Sequence, residues 1–207
     1  MEENNLSCEQ NEEICENGGK PKKWKTGWRK EILDWIEAIV IAVVVALVLK
    51  TFVLTLAVVS GSSMESTLSN GDRLYVNKLF YTPEKGDIVI IDTDKHPQGP
   101  LVKRVIATEG DTVYIDPDTY EVYLNDELLD EDYIKGKTIL REIGSEYASA
   151  KYSRENPIVI GKDEVFVMGD NRENSSDSRS MGIFTTDEVV GHAIFRFWPL
   201  SDISKLD

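Results

Sequence analysis

The sequence predicts one transmembrane helix followed by a mainly β domain, in which short antiparallel strands form a barrel-like or coiled arrangement. Three observations predict it. One long apolar run occupies residues 32–59 of a chain of 207 residues. Beyond it, apolar residues come in short runs rich in β-branched side chains. Turn-forming pairs such as Asn70-Gly71, Lys85-Gly86 and Asn125-Asp126 separate those runs.

Residues 1–31 read as a tail. The first nineteen are rich in Glu, Asn and Gly with few apolar positions, a composition that does not fold alone. Cys8 and Cys15, the only cysteines, fall in this tail, with no histidine near enough to suggest a metal site. Residues 32–59 read as a membrane anchor with an apolar exit segment. Ala38 to Leu49 carries no charge, and Lys50 is the only charge between Ala38 and Val59. A helix from about Leu33 to Val53 would be ~30 Å long, the thickness of a bilayer core. A buried core helix would be amphipathic, whereas here the apolar residues go all the way round. A cleaved secretory signal would have a shorter apolar stretch close behind a short basic start.

The flanks set the expected orientation. Lys20, Lys22, Lys23, Lys25, Arg29 and Lys30 precede the run, while the first basic residues after Lys50 are Arg73 and Lys78. The positive-inside rule therefore places the tail in the cytoplasm and residues 60–207 outside, giving a single-pass protein of the cell membrane. Trp24, Trp28 and Trp35 suit the inner headgroup region, and Lys50 can snorkel to the outer one. The cysteines would then lie on the reducing side, where a disulfide does not persist. The formal net charge of −14 is concentrated in the outer segment, which excludes an electrostatic footprint for nucleic acid. The plain reading of that charge is solubility.

In the outer segment, strands are expected at 73–79, 87–91 and 101–106. A meander of hairpins follows over 113–129, with later strands at 165–168 and 192–198. The polar stretch 137–156 reads as a flap or a short helix.

Three segments stand out from this β background. Ser60 to Leu68 (SGSSMESTL) directly follows the apolar run; alone it reads as a serine-rich linker. Leu101 to Ile106 (LVKRVI) carries a lysine in a strand. Gly169 to Arg179 (GDNRENSSDSR) packs short polar side chains into one loop after an apolar strand, as an Asx-rich turn or an ordering network would. In this order the three resemble the boxes of type I signal peptidases, membrane-bound Ser/Lys endopeptidases that remove signal peptides from exported proteins. Ser63-Met64-Glu65-Ser66-Thr67-Leu68 stands for the nucleophile box, Gly71-Asp72-Arg73-Leu74 for the next, and Val102-Lys103-Arg104-Val105 with Gly110-Asp111 for the lysine box. Gly169 to Arg179 matches every fixed position of the last. The resemblance runs from about Trp35 to Pro199, and a single N-terminal span is similar to the Gram-positive form.

The resemblance implies Ser63 as nucleophile and Lys103 as general base. It implies that Ser175 hydrogen-bonds the lysine amine, that Asp177 and Arg179 pair, and that Asp170 and Arg172 support the loop. Val59, Met64, Leu68, Leu101 and Val102 would line shallow pockets for the small residues before the cut in a preprotein. No cofactor or metal is implied; the expected partners are preproteins and membrane lipid. Lysine at its ordinary pKa of ~10.4 is useless as a base near neutrality, and desolvation among apolar neighbours can lower it by several units. Two departures bear on the chemistry. Ser66 replaces the family's proline and releases a fixed φ. Gly61 stands where some members use a serine hydroxyl for the oxyanion, so backbone N–H groups, mainly that of Ser63, must serve. Chain length adds a constraint: Ser63 is four residues past Val59, a reach of at most ~14 Å, so the nucleophile stays close to the outer bilayer surface.

A Ser/His hydrolase would have to use His96 or His192, and neither has an acid at a telling spacing. A self-cleaving repressor-type Ser/Lys protease would carry a DNA-binding head where this chain has its apolar run. The rival of another class is a catalytically impaired, membrane-tethered binding protein of the same fold that holds signal-peptide-like segments.

Overall fold

The computed structural model describes residues 27–52, 54–94, 96, 99–139 and 153–206. The tail with Cys8, Cys15 and most of its basic run, and all but the ends of the stretch 137–156, lie outside the described residues. The chain divides into two compact units, residues 1–46 and 47–207.

Helix α1, Gly27–Phe52, supplies the described part of the first unit. It begins about two turns earlier than the apolar run suggested, because the polar residues ahead of that run also favour helix. Its 26 residues are about 39 Å long. Every described side chain on it is exposed, aliphatic ones included. Among the described residues no helix is long and apolar enough to cross a membrane. Glu31, Asp34 and Glu37 occupy its early turns, and the uncharged stretch with described side chains, Ala38 to Leu47, covers only about 15 Å.

The second unit is mainly β, and among the described residues its named strands all pair antiparallel, with one isolated parallel bridge between Lys135 and Asn171. Its strands are β1 (Leu54–Val58), β2 (Arg73–Asn77), β3 (Ile88–Ile91), β4 (Leu101–Thr108), β5 (Thr112–Ile115), β6 (Val122–Leu124), β7 (Glu127–Leu128), β8 (Ile158–Val159), β9 (Glu164–Met168), β10 (Phe184–Thr185), β11 (Val189–Trp198) and β12 (Ser204–Lys205); a single-turn helix, α2 (Ser178–Met181), precedes β10. The larger sheet runs β1-β2-β11-β3-β4-β9-β10, with β12 on β11. The smaller runs β7-β6-β5-β8. The larger sheet is an open path rather than a closed barrel, since its end strands β1 and β10 do not pair.

Burial follows the sequence periods. In β2, Leu74 and Val76 are buried while Arg73 and Tyr75 face out, the alternation of a half-buried strand. β3 is buried at all four positions because β11 and β4 flank it and both of its faces are covered. One apolar cluster gathers Val59, Met64 and Leu68 with Leu74, Val76 and Ile88. A second, of Ile106, Val113, Ile115, Phe166 and Met168, joins the two sheets. A third, of Val89, Leu101, Val105 and Val167, is covered by Phe184. Truncating a fully buried phenylalanine such as Phe166 to alanine would cost about 3–5 kcal/mol.

Candidate active site

The nucleophile box is a tight turn hung between β1 and β2. Glu65 N–H donates to the Ser62 carbonyl at 3.2 Å, and the N–H groups of Thr67 and Leu68 both donate to the Met64 carbonyl, at 2.9 and 2.8 Å. Met64 and Leu68 anchor the turn from beneath; both are fully buried. The Glu65–Ser66 peptide is cis, and the Ser66 hydroxyl donates to the Tyr133 carbonyl at 3.0 Å.

Lys103 comes from the middle of β4, whose register sets Val89 of β3 opposite it. Its side chain is almost wholly buried, and Nζ donates to Ser63 Oγ at 2.8 Å and to the Val102 carbonyl at 3.0 Å. Burial pushes its pKa down from 10.5 to about 8, against the opposing charges of Asp177 and Asp170 and with help from Arg179. The two side chains singled out as nucleophile and base thus meet, although forty residues separate them in sequence.

The loop from Gly169 to Arg179 holds this pair in place. Asp177 accepts three hydrogen bonds from Arg179, from Nε at 2.8 Å, from a terminal nitrogen at 2.7 Å and from the backbone N–H at 3.2 Å, and a fourth from the Gly169 N–H at 3.0 Å. Burial alone would raise the Asp177 carboxyl; Arg179, the Gly169 N–H and the nearby Ser175 hydroxyl together hold it below the usual carboxylate range. Arg172 forks onto Glu131, donates to Thr138 Oγ1 at 2.8 Å, and reaches back to the Gly169 carbonyl at 3.1 Å. Asp170 pairs with Arg104, whose Nε and a terminal nitrogen approach at 3.0 and 2.8 Å, and it also takes the Thr67 hydroxyl at 2.5 Å. Gly169 has no room for a side chain: a Cβ there would lie 2.3 Å from Ser175 Oγ and 2.5 Å from the Ser63 carbonyl oxygen.

One expected contact is not formed. Ser175 is buried, but among the described residues its hydroxyl makes no hydrogen bond of ordinary geometry, to Lys103 or to any other group. The amine is directed instead at Ser63 and the Val102 carbonyl, and Ser175 Oγ lies over Gly169 on the Asp177 side. Neither histidine takes part. His96 meets the Gly99 carbonyl, and His192 stacks on Tyr81 with Nε2 3.6 Å from Asp87.

Residues 32–198 match the protein family described as signal peptidase, peptidase S26. The chain belongs to the signal peptidase family. It is similar to signal peptidase I S of Bacillus subtilis (strain 168), 37% identical over 182 residues, which cover 86% of this chain and 95% of the relative. Signal peptidase I of Bacillus amyloliquefaciens is 35% identical over 199 residues, covering 90% and 98%. Signal peptidase IB of Staphylococcus aureus (strain COL) is 37% identical over 184 residues, covering 84% and 93%.

In this signal peptidase family member, Val59, Met64, Leu68 and the partly buried Val102 gather in one apolar cluster beneath the nucleophile turn. Leu101, next to Val102 but on the other face of β4, packs in the cluster covered by Phe184. Met64 and Leu68 present no surface of their own, so their direct effect is on the placement of Ser63. Sequence reasoning assigned nothing to Arg104, Asn171, Glu131, Tyr133 or Arg196. Arg104 and Asn171 stand inside recognised boxes and could have been singled out there. Arg196 donates to the Thr67 carbonyl at 3.0 Å and to Asp72 at 3.1 Å from a distant strand, and nothing local marks it.

Proposed function

We propose that this chain is a membrane-anchored endopeptidase that cleaves N-terminal signal peptides from exported preproteins by a Ser63/Lys103 dyad. The observation that carries the reading is the 2.8 Å approach of a buried lysine amine, with its pKa lowered to about 8, to a serine hydroxyl. The naming of the relatives as signal peptidase I supports the substrate class. The exposed aliphatic residues around α1, continued by the uncharged sequence to Leu49, support the anchor.

In the working state the Lys103 amine is neutral and accepts the Ser63 hydroxyl proton as Oγ attacks the scissile carbonyl. Backbone N–H groups at the turn take the developing oxyanion. The lysine ammonium then gives its proton to the leaving amine, and the acyl-enzyme remains on Ser63. Water, deprotonated by the same amine, releases the signal peptide. Arg179 and Asp177 hold the loop beside the amine.

The test is cleavage of a preprotein by the purified full-length protein in detergent, with N-terminal sequencing of the product. Ser63→Ala and Lys103→Ala are each expected to abolish cleavage, while His96→Ala and His192→Ala retain it. Retained binding of preprotein without cleavage by the parent would instead support the impaired binding protein. Protease added to intact cells is expected to degrade residues 60–207 and spare the first thirty. Protection of the large domain would overturn the orientation.

A further inference from the structure

The catalytic pair accounts for the proton transfers, but acyl transfer also needs a donor fixed at the place where the carbonyl oxygen becomes charged. Asn171 holds both peptide groups that flank the nucleophile. Its side-chain Nδ2 donates to the Ser62 carbonyl at 3.0 Å, and its backbone N–H donates to the Ser63 carbonyl at 3.0 Å. It is buried, so water competes little for either bond. Asn174 adds a bond from Nδ2 to Ser62 Oγ at 2.6 Å. Gly169 lets the loop approach this closely, since any Cβ would strike the Ser63 carbonyl oxygen.

The consequence follows from peptide geometry. In a trans peptide the C=O and the N–H point in opposite directions. With the Ser62 carbonyl held against Asn171, the Ser63 N–H of the same peptide is aimed away from it. That N–H has no hydrogen-bond partner among the described residues, although the turn around it is otherwise well bonded. Rotation of the Ser62–Ser63 peptide plane would break the Asn171 bond and swing the donor off line together. We propose that Asn171 is a positioning residue that aims the Ser63 N–H at the oxyanion, with Asn174 as a weaker second support. The inference rests on the serine-peptidase reading above and adds to it the group that aims the oxyanion donor.

The test uses the full chain in detergent, with three probes: a cleavable signal-peptide substrate, an uncleavable analogue with proline after the cut, and a peptide aldehyde. Addition of Ser63 Oγ to the aldehyde carbon gives an adduct whose former carbonyl oxygen occupies the oxyanion position. Asn171→Asp keeps the shape and the backbone N–H but removes the side-chain donor. Misaiming a donor costs less than deleting one, so kcat on the alkaline plateau is expected to fall about 10–100-fold with KM within threefold. Aldehyde affinity should fall by a similar factor while affinity for the uncleavable peptide stays unchanged. Asn174→Ala, at an exposed position, should give the same split at smaller size, and it carries the test should Asn171→Asp fail to fold. An unchanged kcat, or equal losses of affinity for the aldehyde and the uncleavable peptide, overturns the proposal. A parent enzyme that cleaves nothing refutes the peptidase reading itself, and this inference falls with it.

Discussion

Replacing Lys103 by methionine tests the depressed lysine in two independent ways. Methionine keeps the length of the side chain and removes the charge. A fall from 10.5 to about 8 on folding means that the folded state binds the proton less tightly than the unfolded chain does. The penalty is therefore full below the folded pKa, shrinks between about 8 and 10.5, and is gone above the unfolded value. Its size at neutral pH is about 3 kcal/mol, to order of magnitude. Methionine also loses the hydrogen bonds to Ser63 and the Val102 carbonyl, together about 1–2 kcal/mol. Lys103→Met should thus be more stable than the parent by about 1–2 kcal/mol near pH 6.5, raising Tm by about 2–8 °C, and should lose that advantage toward pH 10. The assay is thermal unfolding of the full chain in detergent at the two pH values, beside the pH–rate profile of the parent. Parent activity should rise with pH through about 8 and then level off, while the variant stays inactive throughout. A flat parent profile together with a variant clearly less stable at pH 6.5 would refute the assignment of Lys103 as a buried base.

The remaining predictions concern the loop that supports the pair. Gly169→Ala should abolish cleavage and lower Tm, because the new Cβ meets the Ser63 carbonyl oxygen, a backbone atom that cannot step aside. Gly110→Ala is the control: its φ of +84° makes alanine cost about 1–3 kcal/mol, but nothing lies within 4 Å and activity per folded molecule should be unchanged. Arg179→Met should destabilise the protein by about 3–5 kcal/mol in a denaturation experiment, because it leaves Asp177 buried without its partner. The same variant removes a charge that lowers the Lys103 pKa, so the surviving activity should show its inflection at higher pH. An inflection that stays in place would mean that the two charges do not interact.

Much of this molecule is legible in one dimension. The alternating burial in β2 and the wholly buried β3 follow from runs whose period and β-branched content announce strands. Ser63, Lys103 and the Asp177–Arg179 pair stand out only because three boxes in this order resemble those of one family; the serine-rich turn and the strand lysine by themselves carry no such signal. The resemblance implies that Asp170 and Arg172 support the loop but names no partner for either; Asp170 pairs with Arg104, the residue after Lys103, and Arg172 with Glu131. Such choices between equally charged partners depend on which strands lie side by side, and no spacing in the sequence encodes them.

The sequence by itself determined the mainly β class and the apolar run, because these depend on local propensity and side-chain period, and it marked the three boxes through their resemblance to one family. Only the tertiary structure decided that the larger sheet stays open, that Ser175 does not bond the amine, and that Asn171 grips both carbonyls around the nucleophile. It also decided that Lys103 is buried deeply enough for its pKa to fall to about 8. Each of these is set by distance and solvent access between segments up to about a hundred residues apart in the chain. A hydrogen bond that lengthens by half an ångström is lost, and a lysine that reaches water regains its charge at neutral pH.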